Sequence, residues 1–293
     1  MDIVFVILHY MAINETKQSI QYINENIDTE NYHIVVVDNA SGNGTGTELQ
    51  KIYQQHSHVT VLVNPENLGF ARGNNVGFVY AKNRWNPDYI VLMNNDVFLL
   101  EKAFLEKTER EFGRSHFAVM GPMILTKDGR CDINPLKPEF SNIADIDKKI
   151  RHYKKDIRRY KYHYAPLYYK LAGIKGVLTG WKKKPSMFYK HAENIKLHGC
   201  FLVFSREYIR DYDGLDESTF LFWEEEFLYK HMVSDGKIMV YNPDITVFHL
   251  EDASTDVSIP GRRKKMIFML EHYIDSLNSL KKVYVDYERN SER

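Results

Sequence analysis

The sequence predicts an α/β fold with a mostly parallel central sheet and helices on both faces. Apolar runs at residues 3–8, 33–37 and 89–93 are continuous, which is typical of strands buried on both faces of a parallel sheet. Segments with helical spacing of apolar residues separate these runs, as in right-handed β–α–β connections. The runs at 33–37 and 89–93 end in polar clusters, at the sheet edge where such folds bind ligands.

In the first hundred residues, predicted strands and helices alternate. Asn14 can cap a helix that has Ile20, Ile23 and Ile27 on one face. After the strand at 33–37, the pattern predicts a helix at 47–55, a strand at 59–63, a polar turn at 64–75 and a helix with Val76, Val79 and Tyr80. The strand at 89–93 closes this half.

The second half is less regular. It predicts a helix at 101–112, strands at 118–125 and 197–204, a helix from about Trp223, strands at 237–241 and 246–250, and a helix at 262–287. Thirteen Lys or Arg and several Tyr occupy residues 148–184, against the single acid Asp156. We expect a domain at 1–255, with halves 1–100 and 101–255 and a basic helical insertion at about 140–190. A C-terminal helical extension follows at 256–293.

The composition limits the functional classes. The 293 residues are 44% hydrophobic and 27% charged with a formal net charge of zero, so no global field attracts nucleic acid or membrane. Cys131 and Cys200 are too few for a disulfide framework or a metal cluster, and we expect reduced thiols. The N-terminus lacks the basic region of a signal peptide, and no stretch approaches the ~20 apolar residues of a membrane span. These features predict a cytoplasmic protein.

Two polar clusters follow strands of the predicted parallel sheet, at residues 38–41 and 94–96. Taken singly, each is more typical of a turn or a helix cap. Because both fall on one edge of the sheet, we expect them to line one crevice. Between them, Gly69 and Gly73 permit close backbone approach, and the neighbouring amides can bond a base, ribose or phosphate.

Six stretches resemble the inverting family-2 glycosyltransferases of GT-A fold, particularly their rhamnosyltransferase-like branch. They are VVVDNAS at 35–41, NLGFARGNN at 67–75, VLMNNDV at 91–97, GCFLVFSRE at 199–207, GLDESTFLFWEEE at 214–226 and VFHLEDAST at 247–255. Their order agrees with the family and they cover about residues 3–255. The resemblance implies a GT-A fold and a nucleotide-sugar donor.

The resemblance also implies which residues contact the donor. Asp38 would contact the nucleobase, with the loop at residues 9–11 as the opposite wall of its site. Residues 67–75 would lie near the nucleoside and the sugar. The implied donor contacts are His9, Tyr10, Asp38, Asn39, Asn67, Gly69, Phe70, Arg72, Asn74, Asn94 and Asn95.

Asn94-Asn95-Asp96 takes the place of the family's DXD motif, with one carboxylate fewer. The resemblance implies that Asp96 and His249 hold a divalent metal, Mn²⁺ or Mg²⁺. A hard cation there can stabilise the charge that develops on a diphosphate leaving group. Alone, His249 would be interpreted as a core histidine; together with Asp96 we interpret it as a ligand.

An inverting displacement needs a base that removes the proton of the acceptor hydroxyl. The family's Glu-Asp pair aligns with Glu224 and Glu225, which makes Glu225 the candidate base and Glu224 the reserve. Phe227 stands where many relatives have another acid. Because adjacent helical residues differ by about 100°, only one glutamate of residues 224–226 should face the crevice. A solvated acidic helix start is the alternative.

The basic segment, residues 148–184, leaves three interpretations open: a solvated helical face, a membrane-facing surface that suits a lipid-linked saccharide acceptor, and a nucleic-acid surface, which is the weakest. The membrane interpretation would put the enzyme at the inner face of the membrane. The run at 262–265 is similarly open. Met266, Met269, Leu270, Tyr273 and Leu277 predict a helical apolar face that packs on the domain or on a second copy.

Two other functional classes fit the sequence less well. A sugar nucleotidyltransferase would have a glycine-rich basic loop after its first strand, where residues 9–12 read HYMA. A non-catalytic relative that only binds the donor would tolerate loss of Asp96, Glu225 or His249, and all three are present. The rhamnosyltransferase branch favours a dTDP-rhamnose donor, and a UDP-linked hexose is equally compatible with the motifs.

Overall fold

A computed structural model describes residues 1–162, 189–251 and 261–291, in which nine strands and eight helices are assigned. The strands are β1 (Ile3–His9), β2 (Tyr32–Asp38), β3 (Val59–Val63), β4 (Tyr89–Asn94), β5 (Val97–Leu99), β6 (Val119–Thr126), β7 (Ala192–Glu193), β8 (Phe201–Ser205) and β9 (Met239–His249). The helices are α1 (Ile13–Asn26), α2 (Thr45–Tyr53), α3 (Phe70–Trp85), α4 (Phe104–Ser115), α5 (Ile143–Lys161), α6 (Arg206–Asp211), α7 (Glu224–Ser234) and α8 (Arg262–Ser291).

All described strands belong to one sheet, in the order β3-β2-β1-β4-β8-β6-β9-β5, with β7 paired to β9. The four strands β3, β2, β1 and β4 run parallel, so their carboxyl ends meet at one edge. Beyond β4 the sheet is mixed, because β8 is antiparallel to both β4 and β6 while β6 and β9 are parallel. The predicted α/β sheet is confirmed, and its uninterrupted parallel part is the N-terminal half.

Helices cover both faces of the sheet, as β1 illustrates. Ile3, Phe5 and Ile7 point into a core with α1, α2 and α4, whereas Val4 and Val6 point into a core with α3, α6 and α7. This alternation follows from the two-residue period of a strand, and burial on both faces explains why the sequence run is apolar throughout.

Several predictions differ from the structure; among them, Asn14 lies inside α1 and does not cap it, because the helix begins at Ile13. No sequence pattern predicted β5, a three-residue strand that follows the tight turn at Asn95 and Asp96 and pairs antiparallel with β9. The two strands predicted at 237–241 and 246–250 are wrong, because β9 is continuous through Pro243 and Asp244. A register shift of β6 against β9 accommodates the apparent break.

Helices α5 and α8 pack against each other and form a third core. Its fully buried members include Ile146, Phe227, Leu277 and Leu280. Ion pairs from Lys281 to Asp147 and from Lys161 to Glu271 show that the two helices are antiparallel. The apolar face of the C-terminal helix therefore packs on the chain's own α5 and α7, the first of the two alternatives above.

Residues 163–188, which belong to the predicted basic insertion, lie outside the described residues. So do residues 252–260, which include the last four residues of the family-like stretch at 247–255. Within the described ranges, none of the helices combines the length and the apolar character that a membrane crossing requires.

Candidate functional site

The loops after β1 and β2 lie side by side at the carboxyl edge of the parallel strands. The Asn39 N–H donates to the His9 carbonyl at 2.9 Å, and the Met11 N–H donates to the Ser41 hydroxyl at 2.8 Å. Met11 and Ala40 both adopt left-handed backbone conformations, with φ of 63° and 60°. Such conformations in non-glycine residues persist only where the surroundings fix them, often at functional sites.

His9 is completely buried at this edge. Its Nδ1 lies 2.7 Å from the Thr16 hydroxyl and its Nε2 lies 2.9 Å from the Thr45 hydroxyl. Burial lowers the pKa of His9 to about 4, although the nearby Asp38 carboxylate opposes the shift. Its neutral ring therefore joins the first turns of α1 and α2, and Tyr10, the next residue, is half buried.

Asp38 closes the turn after β2. Both carboxylate oxygens lie 3.3 Å from the Ser41 N–H, and the side chain is nearly inaccessible to solvent. A Cβ at Gly46 would collide with this carboxylate. The end of β2 is therefore tightly packed around Asp38. A ligand could contact only the small part of the Asp38 carboxylate that is exposed to solvent.

Asn39 holds the loop that precedes α3. Its amide donates to the Asn67 side chain and to the Gly69 carbonyl, both at 3.0 Å, and its oxygen accepts the Leu68 N–H at 3.0 Å. Gly69 has φ +81°, and a Cβ there would collide with the Phe220 carbonyl. Asn39 and Gly69 thus fix the loop at residues 67–69, in which Asn67 is exposed.

Helix α3 begins beside this loop with Phe70 half buried and Arg72 exposed. The Arg72 guanidinium lies 3.9 Å from the Glu217 carboxylate, with both side chains 58% exposed. Asn74 is buried, its amide donates to the Phe70 carbonyl at 3.0 Å, and its Oδ1 has no hydrogen-bond partner among the residues that the structure describes. Arg72 is therefore the predicted donor contact with the most freedom to move.

The three polar residues that end β4 and form the following turn have different roles. Asn95 is buried and donates to the Ala12 carbonyl and the Thr16 hydroxyl, both at 3.1 Å, so it fixes the start of α1. Asn94 is half buried, and its N–H donates to the Cys200 carbonyl at 2.9 Å. Asp96 is buried at the tip of the turn.

His249 ends β9 directly opposite the turn. It pairs with Val97 across the sheet, and its Nε2 lies 3.3 Å from Asp96 Oδ1. Burial disfavours the imidazolium, yet hydrogen bonds with Asp96 and Cys200 raise the pKa of His249 to about 10. Its Nδ1 is buried without a hydrogen-bond partner among the described residues.

Asp96 and His249 could supply only part of the ligands that a divalent cation needs. In the described ranges, no group of three or more His, Cys, Asp and Glu could hold a metal ion by itself. One carboxylate and one imidazole suit a cation that takes its remaining ligands from phosphate oxygens and water, as Mg²⁺ usually does. The residues are thus compatible with a cation shared with a diphosphate.

The structure adds His198 and Cys200 to this cluster. The Cys200 N–H donates to His198 Nδ1 at 3.2 Å, and the His198 and His249 rings are 6.0 Å apart. Burial works against a thiolate, but the two imidazoles lower the pKa of Cys200 to about 7. The sequence predicts a strand at residues 197–204 and a family-like stretch at 199–207, but no site residue there, since nothing local shows that β8 lies antiparallel beside β4.

Helix α7 directs its three glutamates to three different places. Glu225 Oε1 accepts the Gly199 N–H at 3.2 Å, and a Cβ at Gly199 would lie 2.9 Å from that oxygen. Glu224 is buried and accepts a hydrogen bond from the Thr219 hydroxyl at 3.0 Å. Glu226 is buried in an ion pair with Lys196. Glu225 alone is partly exposed and lies next to His198, as the helix geometry predicts.

The loop between α6 and α7 joins this helix to the rest of the crevice. The Asn75 amide donates to the Leu215 carbonyl at 2.8 Å and its oxygen accepts the Leu215 N–H at 2.7 Å. The Phe70 N–H donates to the Phe220 carbonyl at 2.8 Å. Asn75 was not among the predicted site residues, because its partner is 140 residues away in the chain.

Comparison with known families gives one match at the level of sequence. A family model described as glycosyl transferase family 2 matches residues 4–212. Glu225 and His249 lie beyond that match, and their assignment depends on the geometry above. No curated protein matches the chain significantly.

Solved structures resemble the chain in fold. TarS 1–349 from S. aureus, in complex with UDP-GlcNAc, is 11% identical with a TM-score of 0.52 over 93% of this chain and 66% of that chain. Mannosyltransferase PcManGT from Pyrobaculum calidifontis, in complex with GDP-Man and Mn²⁺, is 13% identical with a TM-score of 0.53 over 93% and 69% of the two chains. The chain spans 60% of another TarS 1–349 structure. Such low identity supports the GT-A fold alone.

Glu224 generates a testable dependence of stability on pH. Burial and the Glu225 carboxylate raise its pKa from 4.5 to about 8. Between these values the unfolded chain releases the proton that the folded chain keeps, so the free energy of unfolding falls as pH rises. Glu224→Gln retains an acceptor for Thr219 and removes this titration. We expect the variant to gain on the order of 3 kcal/mol relative to wild type as pH rises to 8.

Urea unfolding across this pH range measures the effect. Glu48→Gln, on the exposed side of α2, is the control for loss of one carboxylate, and its curve should run parallel to wild type. Glu224→Gln and wild-type curves that run parallel would contradict the assignment.

Proposed function

This chain belongs to glycosyl transferase family 2, and we propose that it transfers a sugar with inversion, in a single metal-assisted displacement, from a nucleotide-sugar donor to a saccharide hydroxyl. The observation that most supports the proposal is the peptide at Gly199 and Cys200. The Gly199 N–H binds Glu225, while the Cys200 carbonyl binds the strand end beside Asp96. The candidate base and the candidate metal ligands thereby lie on either side of one dipeptide.

We assign the donor to the crevice between the loops after β1, β2 and β4. Tyr10, the edge of Asp38 and the exposed Asn67 would contact the nucleoside, and Arg72 is free to reach the diphosphate. The other predicted donor residues have positioning roles, because their polar groups are bonded within the protein or buried beneath the crevice: His9, Asn39, Gly69, Phe70, Asn74 and Asn95. Asn94, half buried, remains a donor contact.

Asp96 and His249 would hold the divalent metal. When bound, the cation supplies positive charge that stabilises the departing diphosphate. Asp96 offers the carboxylate oxygen that Mn²⁺ and Mg²⁺ both accept, and His249 offers a nitrogen. The Mn²⁺ in the complex of the structurally similar mannosyltransferase supports this proposal without fixing the metal of this chain.

Glu225 would act as the general base. The Gly199 N–H orients one of its oxygens, and the other can accept the proton of the acceptor hydroxyl as the new glycosidic bond forms. Glu224, the reserve, is enclosed by its own loop and lacks this access. Glu226 is committed to Lys196.

The donor nucleotide, the donor sugar and the acceptor are proposed as follows. UDP-, dTDP- and GDP-linked sugars are all candidate donors. The resemblance to the rhamnosyltransferase-like branch favours dTDP-rhamnose. The complexes of structurally similar proteins with UDP-GlcNAc and with GDP-Man favour UDP- and GDP-linked sugars. We propose a lipid-linked saccharide acceptor in surface-polysaccharide assembly, at the inner face of a bacterial membrane. The basic composition of residues 148–184 supports the membrane setting.

A sugar nucleotidyltransferase is the second candidate, and the loop after β1 speaks against it. Residues 9–12 contain no glycine, lysine or arginine, and Met11 takes a left-handed conformation without the freedom of glycine. Its backbone N–H is already bonded to Ser41 and cannot bind a phosphate.

Glu225→Gln tests the base. The substitution keeps the size of the side chain and an acceptor for Gly199, and removes the basicity that proton transfer needs. We expect turnover to fall by about 100-fold or more. The donor Kd should stay within a few-fold of wild type. Release of nucleoside diphosphate from a panel of nucleotide sugars, with calorimetry for donor affinity, measures both.

Glu224→Gln is the matched comparison, one residue away on the same helix turn. Our assignment predicts that it retains most of the turnover. Wild-type turnover in Glu225→Gln, or a selective loss in Glu224→Gln, would move the base role away from Glu225.

Asp96→Asn tests the metal. The amide is a poor ligand for a hard cation, so we expect loss of the Mn²⁺ or Mg²⁺ dependence and a fall in turnover on the order of 100-fold. Initial rates across a metal titration provide the measurement, and the exposed Asp132→Asn is the control. Full wild-type activity in EDTA would remove the metal from the mechanism.

A further inference from the structure

The solvent-facing side of α5 is predominantly basic. Six of its exposed residues are Lys or Arg. Lys161 pairs with Glu271, and the other five are Lys148, Arg151, Lys154, Lys155 and Arg158. At 100° per residue these positions fall within an arc of about 120°, and at 1.5 Å per residue they span about 15 Å. We call this set the basic stripe.

The acids of α5 do not neutralise the basic stripe. Asp147 pairs with Lys281 of α8, and the buried Asp156 pairs with Arg159 and His152. Asp145 accepts the Ser141 N–H at 3.1 Å. Among the residues that the structure describes, no carboxylate forms an ion pair with any member of the basic stripe. Five positive charges therefore face solvent together.

This segregation is unusual for the chain, whose formal net charge is zero. The neighbouring α8 exposes both signs on its outer face, with Glu271 and Asp275 among the acids and Lys264 and Lys282 among the bases. The stripe is thus confined to α5, and Tyr162, 74% exposed, follows its end. A neutral protein with one basic face is oriented by a negatively charged surface.

We propose that the basic stripe docks the enzyme on the anionic headgroups of a lipid bilayer. A straight row of cations on a surface helix matches a planar anionic surface. The apolar side of α5 is already committed to the third core, with Ile146 and Ile150 buried. The helix therefore lies on the headgroups through charge and does not insert its apolar face.

The inner side of α5 links this surface to the base helix. Tyr153 stacks on Tyr273 of α8 at 5.2 Å and lies 6.5 Å from Trp223, the residue that precedes Glu224. Docking through α5 brings the start of α7 close to the bilayer. The closeness of α7 to the bilayer would let a lipid-linked acceptor reach Glu225, and this consequence rests on the proposed function. The docking of α5 on the bilayer does not rest on it.

Sedimentation with vesicles tests the docking. The full chain is mixed with phosphatidylcholine vesicles and with phosphatidylglycerol-containing vesicles at low and high ionic strength. We expect binding to anionic vesicles at low ionic strength only, since salt screens exposed charges. Each basic residue near such a surface contributes about fivefold in affinity, so Lys148→Gln, Arg151→Gln, Lys155→Gln and Arg158→Gln together should weaken binding by about 100-fold or more.

A matched control changes the net charge equally on other faces: Lys17→Gln, Lys51→Gln, Arg84→Gln and Lys102→Gln, all exposed. It should bind vesicles as wild type does. Equal vesicle binding by the stripe variant and wild type, or no binding of wild type to anionic vesicles, would overturn the proposal. Tighter binding of duplex DNA than of vesicles through the same residues would also overturn it, in favour of nucleic acid.

Donor breakdown in solution separates this proposal from the proposed function. Release of nucleoside diphosphate without vesicles should be unchanged in the stripe variant, because none of its four positions touches the crevice. If wild type binds vesicles through the stripe but releases no nucleoside diphosphate, the docking stands and the enzymatic proposal fails.

Discussion

The peptide at Gly199 and Cys200 is the constraint on which the site depends. The Gly199 N–H orients Glu225, and the Cys200 carbonyl fixes the end of β4 just before Asp96. Only glycine allows the carboxylate to come so close, since a Cβ would lie 2.9 Å from its oxygen. The antiparallel pairing of β8 with β4 therefore brings together residues that are more than 100 positions apart in the chain.

The loop between α6 and α7, which leads to Glu225, completes this arrangement from the other side. Asn75 holds Leu215, the Phe70 N–H holds Phe220, and the Ser276 hydroxyl of α8 donates to the Leu221 carbonyl at 2.9 Å. Helix α8 thus takes part in positioning α7, although it lies beyond the residues matched by the family model. The same helix supports α5, so the candidate site and the basic stripe share one scaffold.

The sequence predicted the parallel half of the sheet well, because strands buried on both faces are continuously apolar and each is followed by a helix. It also predicted that residues 38–41 and 94–96 share an edge, which the register of β1, β2 and β4 confirms. It could not separate residues that face the crevice from those that brace it. His9 and Asn95 have the same polar character as donor contacts, and only their partners Thr16, Thr45 and Ala12 show that they are internal.

Gly199→Ala provides the most direct test of the account. The donor that raises the Tm of the wild-type protein most in a panel of nucleotide sugars is used for transfer kinetics and for binding. Because the added methyl displaces the Glu225 carboxylate and leaves the loops after β1 and β2 untouched, we predict a large loss of kcat with donor affinity near that of wild type. Unchanged kcat in a variant that binds donor normally would contradict the placement of the base at this peptide.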